Sequence, residues 1–166
     1  KKKCKKIARG GGAEQYYADK KAKEAADEAV ASCAAEGVPQ DAECFICRSS
    51  IEGKGIVRGC ACRGTMGLAH VACLVRQAEM SVKEFEDQDT GEGFLKWWKS
   101  FDCGQNFHGA VHLALGWACW KTHFRRADIP RTGRGDAAAT TWIFRGAGTS
   151  EGRRATSIEA CRWRDS

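Results

Sequence analysis

The sequence predicts a small α+β domain held in shape by bound zinc, and three observations point there. Cys44, Cys47, Cys60, Cys62, His70 and Cys73 place six soft ligands within thirty residues. The whole chain has ten cysteines among 166 residues, a high count for a protein that does not use them on metal. The segments on either side have helical composition or period, so helices should flank the ligand-rich stretch.

The ligands fall into pairs with metal-binding spacing. Cys44 and Cys47 enclose two residues, so a tight turn brings both sulfurs to one side. Cys60 and Cys62 enclose one, and in extended chain alternate side chains share a face. His70 and Cys73 are three apart, which puts them on one side of a helix that begins near His70. Each pair is half of a tetrahedral zinc site. Six ligands are too many for one zinc and two short for two, so a fourth pair is expected downstream, opened by Cys103. Scattered buried thiols would not show this spacing. A disulfide framework fits poorly, because no secretory signal is visible and Cys60 and Cys62 are only one residue apart.

In chain order, residues 1–43 form a basic and Ala-rich N-terminal helix or linker. Ala13 to Glu36 is rich in strong helix formers, with Asp19 and Lys23 as an acid-base pair four apart and Gly37 with Pro39 as the stop. Its apolar stripe of Tyr16, Ala22, Ala26, Val30 and Cys33 is thin, which predicts a solvated helix packing weakly on the rest. Cys4 and Cys33 have no partner at ligand spacing. Ile51, Ile56 and Val57 around Gly53 and Gly55 suit a short hairpin. The cations Arg48, Lys54, Arg58 and Arg63 flank the cysteines, where they can offset the charge of a thiolate-bound zinc.

From His70 to about Phe85, Val71, Leu74, Val75, Ala78 and Val82 recur at helical spacing. Glu84 to Glu92 is an acidic insertion, and Phe94, Leu95, Trp97, Trp98 and Phe101 then form an apolar wall for the second metal. Another helix is expected from about Phe107 to His123, with residues 109–126 packing on the finger. Residues 127–166 are rich in Gly, Arg, Thr and Ala without a sustained period, as in a disordered basic tail. Trp142, Ile143, Phe144 and Trp163 have no account in such a tail.

The net charge of +6, from 27 basic and 21 acidic residues, is concentrated at the two ends. No organised basic face lies within the cysteine-rich stretch, which argues against nucleic acid as the partner. The longest run without Asp, Glu, Lys or Arg, Cys103 to Trp120, contains two histidines and three glycines and is too polar for a membrane span. With no span and no secretory signal, an intracellular protein is expected, cytoplasmic or nuclear.

Cys60-Ala61-Cys62-Arg63-Gly64-Thr65, followed by His70, Cys73 and Leu74, resembles the RING-CH (RING variant) zinc finger. That family has four Cys, one His and three Cys, with seven residues between the fourth and fifth ligands, as here between Cys62 and His70. PHD fingers have a shorter gap there. The resemblance covers residues 44–108 and implies a cross-brace finger with two zinc sites. It assigns Cys44, Cys47, His70 and Cys73 to one zinc, and Cys60, Cys62, Cys103 and a partner to the other. The run from Phe107 to Thr122 also resembles the segment C-terminal to this finger in some algal proteins, although the 34-residue helical repeat found there is absent.

The chain departs from the family pattern in four places. The eighth ligand, expected three residues after Cys103, falls on Asn106, and His108 nearby carries the better zinc donor. The gap of 29 residues from Cys73 to Cys103 is long. Gln77 stands near the place of a typical Trp, and Phe107 replaces a basic residue.

The resemblance implies a ubiquitin ligase with no catalytic residue of its own, which docks a charged ubiquitin-conjugating enzyme and promotes transfer by positioning. Ile46 occupies the place that offers an apolar side chain to that enzyme, with packing inside the knuckle as the other use for it. The protein substrate has no signature in the chain. The competing class is a non-enzymatic, zinc-stabilised interaction module.

Overall fold

The computed structural model describes residues 12–39, 41–50, 55–85 and 92–124. The expectations for Lys54, for the acidic insertion beyond Phe85 and for the tail with Trp142, Ile143, Phe144 and Trp163 lie outside the described residues. No helix among the described residues is long and apolar enough to cross a membrane.

Helix α1, Ala13–Ala35, ends where composition predicts. Gly37 takes φ 88°, and the Val38 amide closes the turn on the Cys33 carbonyl at 3.0 Å. Its packing differs from expectation, because α1 is part of the core. Ala18, Ala29 and Cys33 are buried, with Ala25, Ala26 and Val30 packed beside them. Small side chains let another helix and a strand approach closely, so a stripe that scores as thin in hydrophobicity makes a tight interface. The exposed ion pairs also differ: Lys23 pairs with Asp27 at 3.2 Å and Asp19 with Lys121 at 3.4 Å.

Two short strands, β1 (Ile56–Val57) and β2 (Ala69–His70), pair antiparallel with Ile56 opposite His70 and Val57 opposite Ala69. The described partner of Ile56 and Val57 is the segment ending in His70, and the hairpin arm expected around Ile51 and Gly53 lies outside the described residues. All four strand residues are buried, so this two-residue ladder lies inside the core.

Helix α2, Val71–Glu84, starts directly after His70 and buries Val71, Leu74, Ala78 and Ser81. A 3-10 segment, Glu92–Trp97, comes next on its flank with Trp97 buried. The aromatic wall is divided: Trp97 is inside, with its ring 5.3 Å from that of His123, whereas Phe101 is exposed beneath the Lys96 ammonium. Helix α3, Gly109–Cys119, continues into one π-helical turn, Trp120–Phe124. Its buried residues Val111, Ala114, Leu115 and Ala118 obey the i, i+3, i+4, i+7 rule of a helix lying on a core. Val111, Ala114 and Leu115 meet Ala29, Cys33, β1 and Leu68 in one cluster that also contains Cys44 and Cys60. Cys44 and Cys60, one sulfur from each ligand group, are thus rooted in the same core that the helices enclose.

Candidate metal centre

The first cluster is built from three separate pieces of chain. Cys44 and Cys47 sit on a knuckle in which the Arg48 amide donates to the Cys44 carbonyl at 2.8 Å and the Cys44 amide to the Ser49 carbonyl at 3.1 Å. Closing that turn puts Arg48 at φ 56°, the single non-glycine residue with positive φ among the described residues. His70 ends β2 and caps α2, and Cys73 lies on the helix's first turn. The His70 amide donates to Cys44 Sγ at 3.5 Å, which ties the knuckle to the strand.

The four ligand atoms of Cys44, Cys47, His70 and Cys73 all lie within 4.8 Å of one another. Cys47 Sγ and Cys73 Sγ are 3.4 and 3.7 Å from the same His70 Nδ1. A tetrahedron with Zn–S about 2.3 Å and Zn–N about 2.05 Å has an S···N edge of about 3.5 Å. Two sulfurs converging on one ring nitrogen at that spacing fit the edges of a metal site.

Cys60, Cys62 and Cys103 form a second group on the same criterion. Cys60 and Cys62 come after β1, and Arg58 braces their loop, donating to the Cys62 carbonyl at 2.8 Å and the Gly64 carbonyl at 2.9 Å. The Arg58 amide also donates to Cys33 Sγ at 3.4 Å. Arg58 and Cys33 therefore anchor the finger to α1 in roles that sequence reasoning did not assign.

His108 does not join this group. Its amide donates to the Gly59 carbonyl at 3.0 Å, and it is the exposed residue at the N-cap position of α3. Asn106 is exposed too and forms an isolated antiparallel bridge with Lys99. Ser100, which sequence reasoning passed over, is buried, with Oγ 3.9 Å from Cys62 Sγ.

Charge supports the metal assignment. Burial pushes the Cys73 thiol up to about 12, with neighbouring Cys47 and Cys44 adding to it. In the same cluster the backbone amides of Cys47, His70 and Ile46 outweigh burial and hold Cys44 below the usual thiol range. In the second group, burial together with Cys103 and Cys60 pushes Cys62 up to about 11. The Ser100 hydroxyl and the Gln105 amide bring Cys103 down to about 7. Each group accepts one thiolate readily and resists the next, a repulsion that a bound dication removes.

Close backbone packing holds the second group in place. A Cβ on Gly59 would lie 2.4 Å from Val111 Cγ1 and 2.7 Å from Val111 Cβ. Gly59→Ala is expected to push α3 off the loop that carries Cys60 and to cost about 1 to 3 kcal/mol by overpacking. A chemical melt of the zinc-loaded protein measures it, and an unchanged midpoint would contradict the close approach.

Beside the second group lies a small cleft lined by Phe45, Cys60, Met66, Leu74, Gln77 and Phe101, among others. Met66 and Phe101 are exposed there, while Ile46 next to Phe45 is half-buried against the core.

No curated protein and no solved structure matches the chain. A family model, that of the RING-variant domain, matches residues 44–84. The match spans the first cluster entirely and Cys60 and Cys62 of the second, while Cys103 lies beyond it. Cysteine and histidine donors at these separations are the set that zinc prefers. This chain therefore carries a RING-variant (RING-CH) domain, a zinc-binding finger whose two groups of ligands suit two zinc ions.

Proposed function

We propose that the protein is a ubiquitin ligase of the RING-CH type, binding a ubiquitin-conjugating enzyme and promoting transfer of its ubiquitin to a protein substrate. The observation that carries this reading is the RING-variant match at residues 44–84, over a first ligand cluster that is complete. Zinc in such a finger is structural: it fixes the loops and takes no part in bond making. The finger's own contribution is to hold the charged enzyme so that an attacking amine meets the thioester, an effect of positioning. Half-buried Ile46 on the first knuckle is the docking residue in this reading, and the adjacent cleft with exposed Met66 and Phe101 offers further apolar surface.

The test is discharge of ubiquitin from a panel of charged conjugating enzymes to free lysine, with and without the zinc-loaded full chain. Acceleration with at least one enzyme, lost in Cys44→Ser, is the expected result. A chain that holds its zinc and accelerates none of the panel is instead a zinc-stabilised interaction module.

A further inference from the structure

We propose that Ser100 occupies the fourth corner of the second metal site, which makes it a three-thiolate site completed by a hydroxyl oxygen. Two knuckles with the same backbone pattern point there. In the first, the Arg48 amide meets the Cys44 carbonyl at 2.8 Å and the Cys44 amide meets the Ser49 carbonyl at 3.1 Å. In the second, the Gly104 amide meets the Ser100 carbonyl at 3.0 Å and the Ser100 amide meets the Gln105 carbonyl at 2.8 Å. The fifth residue has positive φ in both, 56° at Arg48 and 66° at Gly104. Ser100 to Gln105 thus repeats the turn of Cys44 to Ser49 position by position. Cys103 falls on Cys47, the second ligand of its knuckle, and Ser100 falls on Cys44, the first.

The surroundings of Ser100 agree with that register. Its residue is 4% exposed, rare for a serine in a loop, and its Oγ stands 3.9 Å from Cys62 Sγ. A tetrahedral zinc with three sulfurs and one oxygen has an S···O edge of about 3.5 Å. Asn106, three residues after Cys103, lies beyond the turn on the Lys99 bridge. The long interval after Cys73 therefore ends at Ser100, and the chain has exchanged one sulfur for oxygen at a single ligand position.

A neutral hydroxyl is a weaker zinc donor than a thiolate, so the two sites should differ in how firmly they hold metal. The first has three thiolates and an imidazole; the second has three thiolates and an oxygen that water can replace. Zinc in the second site should leave first. That difference belongs to the metal sites alone and stands whether or not the finger promotes ubiquitin transfer.

The test monitors zinc transfer from the full chain to a colorimetric chelator, with circular dichroism checking that each variant is folded. Wild type should lose its zinc in two phases. Ser100→Cys should slow the first phase at least tenfold and leave the second unchanged. Reloaded with cobalt, it should also show more sulfur-to-metal charge transfer than wild type, as a seventh thiolate requires. Ser100→Ala should quicken the first phase several-fold, while Asn106→Cys and His108→Ala leave both phases alone. The proposal is overturned if Asn106→Cys brings the slowing and the added charge transfer, if His108→Ala alone quickens release, or if Ser100→Cys changes neither rate nor spectrum. A Ser100→Cys protein that folds only without metal would overturn it as well.

Discussion

Once a strong chelator has taken the zinc of the first site as well, in the slower phase of release, residues 44–124 are expected to unfold as one unit and to release α1 with them. The main cluster of buried residues includes Cys44 and Cys60 themselves, and the strand ladder within it is only two residues long. Structural zinc is worth about 10 to 16 kcal/mol in small zinc domains. A whole domain of this size is stable by only about 5 to 15 kcal/mol. Losing the metal should therefore cost as much as the fold has to give. Helix α1 should fray once the cluster that buries Ala29 and Cys33 is gone, because most helical stability in proteins comes from packing of the buried face rather than from propensity. Circular dichroism during chelation should lose helix and tertiary signal together and regain both when zinc returns. Cys44→Ser should drop the zinc count and the fold at once. Cys33→Ser, at a buried thiol outside both groups, should keep the zinc and cost only about 1 to 3 kcal/mol. A cooperative melt in protein free of metal would contradict this dependence on zinc.

The contrast between Cys44 and Cys33 also shows what a sequence reveals. Ligand spacing is local information, because two residues between Cys44 and Cys47 and three steps from His70 to Cys73 each imply a shared face. The first cluster was legible for that reason, as was the extent of α1, where Ala, Glu and Lys lead to Gly37. The packing of α1 was not legible. Ala18 and Ala29 carry little hydrophobic signal, yet their small size is what admits α3 and β1. Register at the second site was hidden for a different reason. A lone cysteine can open a knuckle or close one, and only the backbone hydrogen bonds to Ser100 and Gln105 decide which. Asn106 and His108, the positions expected to complete that site, are both exposed, whereas Ser100, the ligand proposed above, is buried three residues before Cys103.

Ile46→Ala should separate docking from folding in the proposed ligase. Ile46 lies between two ligands without being one, and it is half-buried with one side against the core cluster. Trimming it should leave the zinc count unchanged and lower stability by about 1 kcal/mol, a fraction of the cost of emptying a fully buried site. The exposed side is the part available to a partner. An apolar anchor at the centre of an interface is worth on the order of 1 to 3 kcal/mol when truncated. At about 1.4 kcal/mol per factor of ten, that predicts ubiquitin discharge slowed roughly five- to hundredfold at enzyme concentrations below saturation. Met80→Ala provides the comparison, since Met80 is a large exposed side chain on the outer face of α2 and should change neither quantity. Raising the conjugating enzyme should restore much of the Ile46→Ala rate, because the defect is in binding and the finger supplies no reacting group. A fall in discharge that only tracks the loss of folded protein would assign Ile46 to packing alone, and the docking surface would then have to be sought along the cleft from Met66 to Phe101.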